Sequence, residues 1–394
     1  MSMLNFNFQN PTRIVFGKGQ ISQLSTLVPR DKKILMCYGH GSIKRNGVYD
    51  QVMSALKGYD VTEFSGIEAN PEYETLLKAV MFLKEHGPEN YFILAVGGGS
   101  IVDGCKFICL AALYNKSTDY YQDIMVEGAV KCEAALPLGV VLTLPATGSE
   151  SNHAFVVSYR AKHLKYGVLT PLVFPKFAVM DPVTSYTLPY RQTANGIVDA
   201  FVHVCEQYLI DCRHADVQDR YSEALLKVLY ENGKKIREDP NNYDIRANIM
   251  WAANQALNHW LGQGVRSDWS THNIGHELTV YLGLDHGQTL AIIQPRLLKH
   301  KFNTKRGKLA QMAERVFGVT TGTEEEKALK CIELIEHFYS QEVGVPTHIH
   351  EYDCSQDKAW IDDMHAKLTA CDAKFGEDMD IVPDVIREII LNSY

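Results

Sequence analysis

The sequence predicts an α/β half followed by an all-α half, and three observations lead there. Up to about residue 182, short β-branched and apolar runs alternate with amphipathic stretches. Strands that are apolar at every position, set between helices, suit a parallel sheet covered on both faces. Beyond Asp181-Pro182, apolar residues recur three and four apart and strand-like runs nearly vanish. The change of rhythm predicts two domains, 1–184 and 185–394, and a chain of 394 residues is long enough to bury a core in each.

Taken in order, Lys33-Ile34-Leu35-Met36-Cys37-Tyr38 reads as a buried strand, and Gly39-His40-Gly41-Ser42 as the turn after it. Residues 47–56 read as a helix. Tyr91-Phe92-Ile93-Leu94-Ala95-Val96 is a second strand, followed by Gly97-Gly98-Gly99-Ser100 and another helix. Gly139-Val140-Val141-Leu142-Thr143-Leu144 is a third strand. Helical periodicity then covers 191–214, 215–235, 245–261, 269–282 and 305–316.

Composition narrows the function. The formal net charge is -8 and no Lys/Arg block offsets it, which speaks against a nucleic-acid or membrane-surface partner. Nine cysteines (37, 105, 109, 132, 205, 212, 331, 354, 371) contain no C-x-x-C pair, so neither a disulfide framework nor a thiolate zinc knuckle is expected. Reduced thiols and a cytoplasmic location are the plain expectation. The N-terminal residues lack a basic region followed by an apolar run, and no signal peptide or membrane span is expected.

The turn Gly97-Gly98-Gly99-Ser100-Ile101-Val102-Asp103 joins a strong strand to a helix. Glycine lets the backbone approach an anion, and a helix N-terminus offers free N–H groups. It is not the G-x-G-x-x-G fingerprint, and tight strand-to-helix turns use glycine for packing too. At Gly39-His40-Gly41-Ser42 no carboxylate stands in the turn to repel a 2′-phosphate, Ser42 can donate to one, and Lys44 and Arg45 follow. This favours NADP(H) over NAD(H). The pair Lys44–Arg45 also suits a solvated helix start. A third turn, from Thr143 through Thr147, Ser149 and Asn152, carries small hydroxyls for pyrophosphate, ribose or nicotinamide, or else caps a helix through Ser149 or Ser151.

Two segments concentrate ligand-type residues. Asp199 and His203 stand four apart among Ile197, Val198, Phe201 and Val202, so they share one face of an apolar helix. A carboxylate and an imidazole buried there are costly unless compensated. His272 and His276 are again four apart, and His286 follows in a turn from which it can fold back beside them. Histidines with one aspartate suit Zn²⁺ or Fe²⁺. Any one of these histidines taken alone is more often a hydrogen-bonded core or cap residue than a ligand, and it is the two i, i+4 pairs with the turn histidine that point to a metal. A zincin reading fails on spacing, because position 280 is Val.

These residues resemble a known family, the iron-containing (group III) alcohol dehydrogenases, over nearly the whole chain. Phe8 to Gly17 is similar to its opening strand and Gly97 to Asp103 to its pyrophosphate turn. Leu142 to Asn152, Thr187-Leu188-Pro189 through His203, Gly275-His276-Glu277-Leu278 and Leu284-Asp285-His286-Gly287 match its further blocks. Tyr38-Gly39-His40-Gly41-Ser42 and Asp268-Trp269-Ser270-Thr271-His272 resemble most the NADPH-dependent aldehyde reductase and butanol dehydrogenase branch.

The resemblance implies a dehydroquinate synthase-like architecture: an N-terminal Rossmann-like, parallel-sheet nucleotide-binding domain and a C-terminal all-helical metal-binding domain. It implies metal ligands Asp199, His203, His272 and His286, with His276 in the site as a non-ligand. It implies cofactor contacts from Gly39, Gly41, Ser42, Asn70, Gly98, Gly99, Ser100, Asp103, Thr143, Thr147, Ser149, Asn152 and Lys165, and a homodimer. Two departures stand out. His40 replaces a small residue, and Asn258-His259-Trp260 adds bulk that narrows the substrate range if it lines the pocket. Family members use zinc as well as iron.

The expected reaction is hydride transfer between NADP(H) and a small aldehyde or primary alcohol, with one divalent metal, Fe²⁺ or Zn²⁺, as Lewis acid. His276 is the candidate proton shuttle. Two alternatives are a lyase of the 3-dehydroquinate synthase type and a non-catalytic nucleotide-binding protein.

Overall fold

The computed structural model describes residues 3–210, 214–354 and 356–394. Contacts divide the chain into two compact units. One comprises Gln9–Pro189 with Asn241–Met250, and the other the N-terminal residues up to Phe8, Tyr190–Pro240 and Trp251–Tyr394.

The first unit holds the strands β1 (Arg13–Phe16), β2 (Lys33–Cys37), β3 (Val61–Phe64), β4 (Tyr91–Gly98), β5 (Leu138–Leu144), β6 (Ala154–Tyr159), β7 (Leu164–Leu169) and β8 (Phe177–Met180). Six of them form one sheet in the order β1-β8-β5-β4-β2-β3, and every neighbouring pair is parallel. Alternate residues feed two cores. Tyr91, Ile93 and Ala95 of β4 join Leu35 and Cys37 of β2 on one face. Phe92, Leu94 and Val96 join Ile34 and Met36 on the other. Because both faces are buried, these strands read as continuous apolar runs, as the sequence predicts.

β6 and β7 form a separate antiparallel hairpin. Its outward positions are only partly covered, so its sequence shows no clean apolar run. The helices of this unit are α1 (Leu24–Leu27), α2 (Ser42–Arg45), α3 (Val48–Ala55), α4 (Tyr73–His86) and α5 (Gly99–Leu113). The stretch predicted as one helix over 47–56 begins at Val48, after a left-handed Gly47 that separates it from α2. Helix α5 is buried almost all round.

From β2 the chain steps outward to β3 and returns across β2 to β4; from β4 it steps the other way to β5. The point of reversal lies between β2 and β4. In open parallel sheets, ligands bind outside the carboxyl ends of the strands at this switch point. The segments leaving those two ends are Gly39-His40-Gly41-Ser42 and Gly99-Ser100.

The helical unit contains α6 (Tyr190–Tyr208) and α7 (Asp216–Lys235), then the part of α8 (Tyr243–Ala256) from Trp251 onward. It continues through α9 (Ser270–Leu282), α10 (His286–His300), α11 (Phe302–Arg315), α12 (Glu324–His337), α13 (Ala359–Ala370) and α14 (Pro383–Leu391). Helix α6 is its central rod, buried at nearly every position from Thr193 to Tyr208. It ends earlier than the predicted 191–214, and residues 211–213 lie outside the described residues. No helix is long and apolar enough to cross a membrane among the described residues. Cys37, Cys105, Cys109, Cys132, Cys205, Cys331, Cys354 and Cys371 are free thiols, while Cys212 lies outside the described residues.

Candidate metal centre and nucleotide turns

Three helices of the helical unit converge on one point. Helix α6 brings Asp199 and His203 from one face, as their spacing of four requires. Helix α9 brings His272, and α10 brings His286. His286 is not in a turn, as expected from the sequence, but is the first residue of α10. A capping box fixes it there: the Asp285 side chain accepts from the third helical N–H, and Gln288 Oε1 accepts from Asp285 N–H at 2.9 Å. Asn195 of α6 donates to Asp285 Oδ2 at 3.0 Å, tying the cap to the ligand helix.

Two glycines permit the approach. A Cβ on Gly287 would lie 2.5 Å from the Asn195 carbonyl oxygen, and one on Gly275 would lie 2.8 Å from Thr289 Oγ1. Any larger residue would push α10 away from α6 or α9.

Asp199 Oδ1 lies 3.5 Å from His203 Nε2, 3.6 Å from His272 Nε2 and 3.5 Å from His286 Nε2. Ligand atoms of Asp199, His272 and His286 all fall within 4.8 Å of one another. The His203 ring stacks on that of His272 at 4.6 Å. Asp199 Oδ1 and His272 Nε2 are buried and have no hydrogen-bond partner among the described residues. Buried polar atoms left in this state are costly. Donors about 2.1 Å from a single tetrahedral ion stand roughly 3.4 Å from each other, close to the spacing found here. Asp199, His272 and His286 therefore fit a divalent cation, whereas His203 reaches Asp199 Oδ1 but lies outside the group of mutually close donors.

The electrostatics agree. Burial pushes the His203 imidazole down to about 4, so it stays neutral, the form that ligates. Burial also works against a proton on His272, but the carboxylates of Glu206 and Asp199 outweigh it and raise the ring to about 9. The negative field that favours a proton there equally favours a cation.

Glu206 is a residue the sequence reading missed. Its Oε2 accepts from His272 Nδ1 and its Oε1 from the Thr271 N–H at 2.6 Å. A carboxylate behind a ligand imidazole fixes its tautomer and orientation. The signal was present: Asp199, His203 and Glu206 are spaced i, i+4, i+7, so a third polar residue lies on the same face of an apolar helix. His276 stands one turn beyond His272, its ring 5.6 Å from that of His286. Of the bulky pair, His259 adopts a left-handed backbone (φ 70) and Trp260 packs edge-on against Phe8 at 5.2 Å.

In the sheet unit, the expected cofactor residues cluster around the start of α5. The glycines are demanded by packing: a Cβ on Gly98 would lie 2.9 Å from Leu144 Cβ, and one on Gly99 would lie 2.4 Å from Thr147 Oγ1. Gly39 fits under the Ile67 carbonyl, and Gly41 takes φ 88 just before Ser42 opens α2. Asn70 (φ 56) donates its N–H to Ser100 Oγ at 3.2 Å and accepts from Lys165 Nζ at 2.9 Å. Thr143 sits near the end of β5, and Thr147 Oγ1 accepts from the Ser149 N–H.

Beneath this cluster is a buried polar network that sequence reasoning also missed. Lys106 is fully buried and donates to Ser149 Oγ, Asn152 Oδ1 and the Ala154 carbonyl at 2.8–2.9 Å. Asp103 accepts from Ser149 Oγ at 2.6 Å and from the Val156 N–H at 3.0 Å. Burial pushes Asp103 up to about 6 and Lys106 down to about 7. Asp103, Ser149 and Asn152 thus brace the turn from below. The turn after Thr147 is a short 3₁₀ segment led by a left-handed Gly148 (φ 65).

A parallel sheet with a topological switch point and a histidine–aspartate cluster on helices suit a class of metal-dependent, nucleotide-using enzymes. Residues 11–182 match the family model for iron-containing alcohol dehydrogenase, and residues 193–374 match that for the C-terminal part of the Fe-containing alcohol dehydrogenase family. The chain belongs to the iron-containing alcohol dehydrogenase family and is an oxidoreductase.

It is 50% identical to the NADPH-dependent aldehyde reductase YqhD of Escherichia coli, over 98% of this chain and 99% of that one. It is 38% identical to a probable NADH-dependent butanol dehydrogenase of Bacillus subtilis, over 98% and 99%. Among solved structures it superposes on E. coli YqhD with a TM-score of 0.96, 48% identity and full coverage of both chains. It also superposes on a butanol dehydrogenase of Thermotoga maritima with a TM-score of 0.92, 34% identity, and coverage of 100% and 99%. The lyase alternative is not favoured by these likenesses.

Proposed function

We propose that this protein reduces small aldehydes to primary alcohols with NADPH, and runs the reverse oxidation with NADP⁺. The observation that carries the reading is the approach of three imidazole Nε2 atoms to one carboxylate oxygen, Asp199 Oδ1, at 3.5–3.6 Å. The likeness to an NADPH-dependent aldehyde reductase over the full chain supports the cofactor and the substrate class.

In this reading Asp199, His203, His272 and His286 hold one divalent ion, Fe²⁺ or Zn²⁺. A bound ion supplies Lewis-acid polarisation of the carbonyl while reduced nicotinamide supplies the hydride. Glu206 holds His272 in the orientation that directs Nε2 at the site. Glycines 39, 41, 98 and 99 let the backbone approach the dinucleotide. Ser42 and Lys44 favour a 2′-phosphate. Asn70, Ser100 and Lys165 reach the sugar-phosphate, while Thr143, Thr147, Ser149 and Asn152, braced by Asp103, shape the opposite wall. His276 delivers the proton that completes the alcohol, so that aldehyde, NADPH and H⁺ give alcohol and NADP⁺. We assign the cofactor domain to 1–184 and the metal domain to 185–394, although by contacts the residues up to Phe8 group with the helical unit and 185–189 and Asn241–Met250 with the sheet unit. The protein acts in the cytoplasm as a homodimer.

The test is an aldehyde panel run with NADPH against NADH on protein of measured metal content. Turnover with NADPH that scales with one metal per chain is expected. Metal-replete protein that turns over no aldehyde with either nucleotide overturns the reading.

A further inference from the structure

Away from the ligands, Lys305 of α11 is buried and its ammonium has three acceptors. It donates to Asp268 Oδ2 at 2.6 Å, Glu377 Oε1 at 2.9 Å and the Leu209 carbonyl at 2.6 Å. Leu209 is the residue just past the end of α6, the helix that carries Asp199, His203 and Glu206. A cation there satisfies an end carbonyl and complements the negative pole of the helix.

Asp268 stands just before α9, the helix that carries His272. Its Oδ1 accepts from the Ser270 N–H at 3.0 Å, and its own N–H donates to the Glu206 carbonyl at 2.9 Å. Between Asp268 and Ser270 the chain passes through Trp269 in the left-handed region (φ 61). A bulky residue is strained there and keeps that backbone only when its neighbours enforce it. The enforced bend sets the indole edge-on to His272 at 5.3 Å. Gly376, one residue before Glu377, fits so closely that a Cβ on it would lie 2.9 Å from Ser270 Oγ.

We propose that Lys305 is a positioning residue of the metal centre. It fastens the C-terminal end of α6 to the start of α9, so that Glu206 and His272 meet in register and the imidazole faces Asp199. The proposal rests on the metal reading above, and Lys301 separates it from general stability. Lys301 is also buried at the same acidic loop and donates to Asp380 at 2.5 Å and Asp378 at 3.3 Å. It shares the loop without an ion pair to Asp268 among the described residues.

The test compares full-length wild type, Lys305→Met, Lys301→Met and Asp199→Ala, each loaded with Zn²⁺ or Co²⁺ and kept well below its own melting temperature. Transfer of Zn²⁺ to a chromogenic chelator and the visible spectrum of the Co²⁺ form are the readouts. Wild type that binds one ion, and Asp199→Ala that does not, establish the site itself. Lys305→Met is then expected to weaken metal binding by about 10-fold or more, the scale of a lost outer partner, and to alter the Co²⁺ spectrum. Lys301→Met is expected to lower the melting temperature and leave both readouts near wild type. If Lys305→Met does not fold, Asp268→Asn carries the same threshold, since it keeps the side-chain shape but sets an amide against the ammonium. Wild-type affinity and spectrum in the Lys305 or Asp268 variant overturn the proposal, as does equal weakening by Lys301→Met. Failure of wild type to bind any ion instead overturns the metal reading.

Discussion

His272 Nε2 stands 3.6 Å from Asp199 Oδ1, beyond hydrogen-bond reach, and both atoms are buried without a hydrogen-bond partner among the described residues. Two complementary groups held this close yet apart leave room for a cation between them. Glu206 sets the distance from behind, by accepting from His272 Nδ1. Glu206→Gln keeps the shape but replaces a charged acceptor with an amide. Metal affinity is expected to fall by about 10- to 100-fold, with kcat falling in proportion to metal lost. Chelator competition checks this, and unchanged affinity would remove Glu206 from the centre.

The start of α10 depends on a missing side chain. Gly287→Ala would drive a Cβ to 2.5 Å from the Asn195 carbonyl, against backbone that cannot rotate away. A stability loss of about 1–3 kcal/mol is expected from overpacking, together with faster metal release as His286 is displaced. Thermal melts and chelator kinetics measure the two effects. A variant as stable and as retentive as wild type contradicts the packing argument.

Glu63 sits among Tyr38, Tyr49 and Lys44, accepting from them at 2.6, 2.5 and 3.0 Å. The bonds from Tyr38 and Tyr49, then that from Lys44, hold its carboxyl down at about 2 against an ordinary 4.5. A folded-state value below the unfolded one gives stability that is fully present above 4.5 and lost as pH falls towards 2. The stability difference between wild type and Glu63→Gln should therefore be flat near neutrality and shrink below that point. A difference that grows on acidification would reverse the assignment. Glu63→Gln also frees Lys44, so its KM for NADPH should fall, while Lys44→Met should raise it and leave NADH unaffected. Equal effects on both nucleotides would remove Lys44 from 2′-phosphate recognition.

His276 is one turn from His272 on α9, with its ring beside that of His286. If it carries the proton, His276→Ala should lose one limb of the kcat–pH profile while retaining its metal. A profile superimposable on wild type ends the shuttle role and leaves His276 as part of the pocket wall.

Much of this was legible in the residues, and the exceptions have physical causes. β2, β4 and β5 were readable because both faces are buried and nearly every position is apolar. β3, β8 and the β6–β7 hairpin are short or half-covered, so no pattern of one period marks them. The i, i+4 pairs revealed that Asp199 and His203, and His272 and His276, share helix faces. Spacing alone did not reveal that His272 rather than His276 falls in the group of mutually close donors, because that depends on where α10 crosses α9. Lys106 and Lys305 went unnoticed because single lysines in helices normally lie in solvent. Only tertiary packing reveals that Lys106 is held by a hydroxyl and two carbonyl oxygens, and Lys305 by two carboxylates and a carbonyl. Lys106 had a local hint, since Asp103 lies one turn before it in an otherwise apolar helix.

Whether four side chains share one cation can be seen by anomalous diffraction at the absorption edge of the bound metal. One peak per chain is expected, about 2.0–2.2 Å from Asp199 Oδ1 and from the Nε2 atoms of His203, His272 and His286. A metal peak elsewhere, or none in catalytically active crystals, would contradict it.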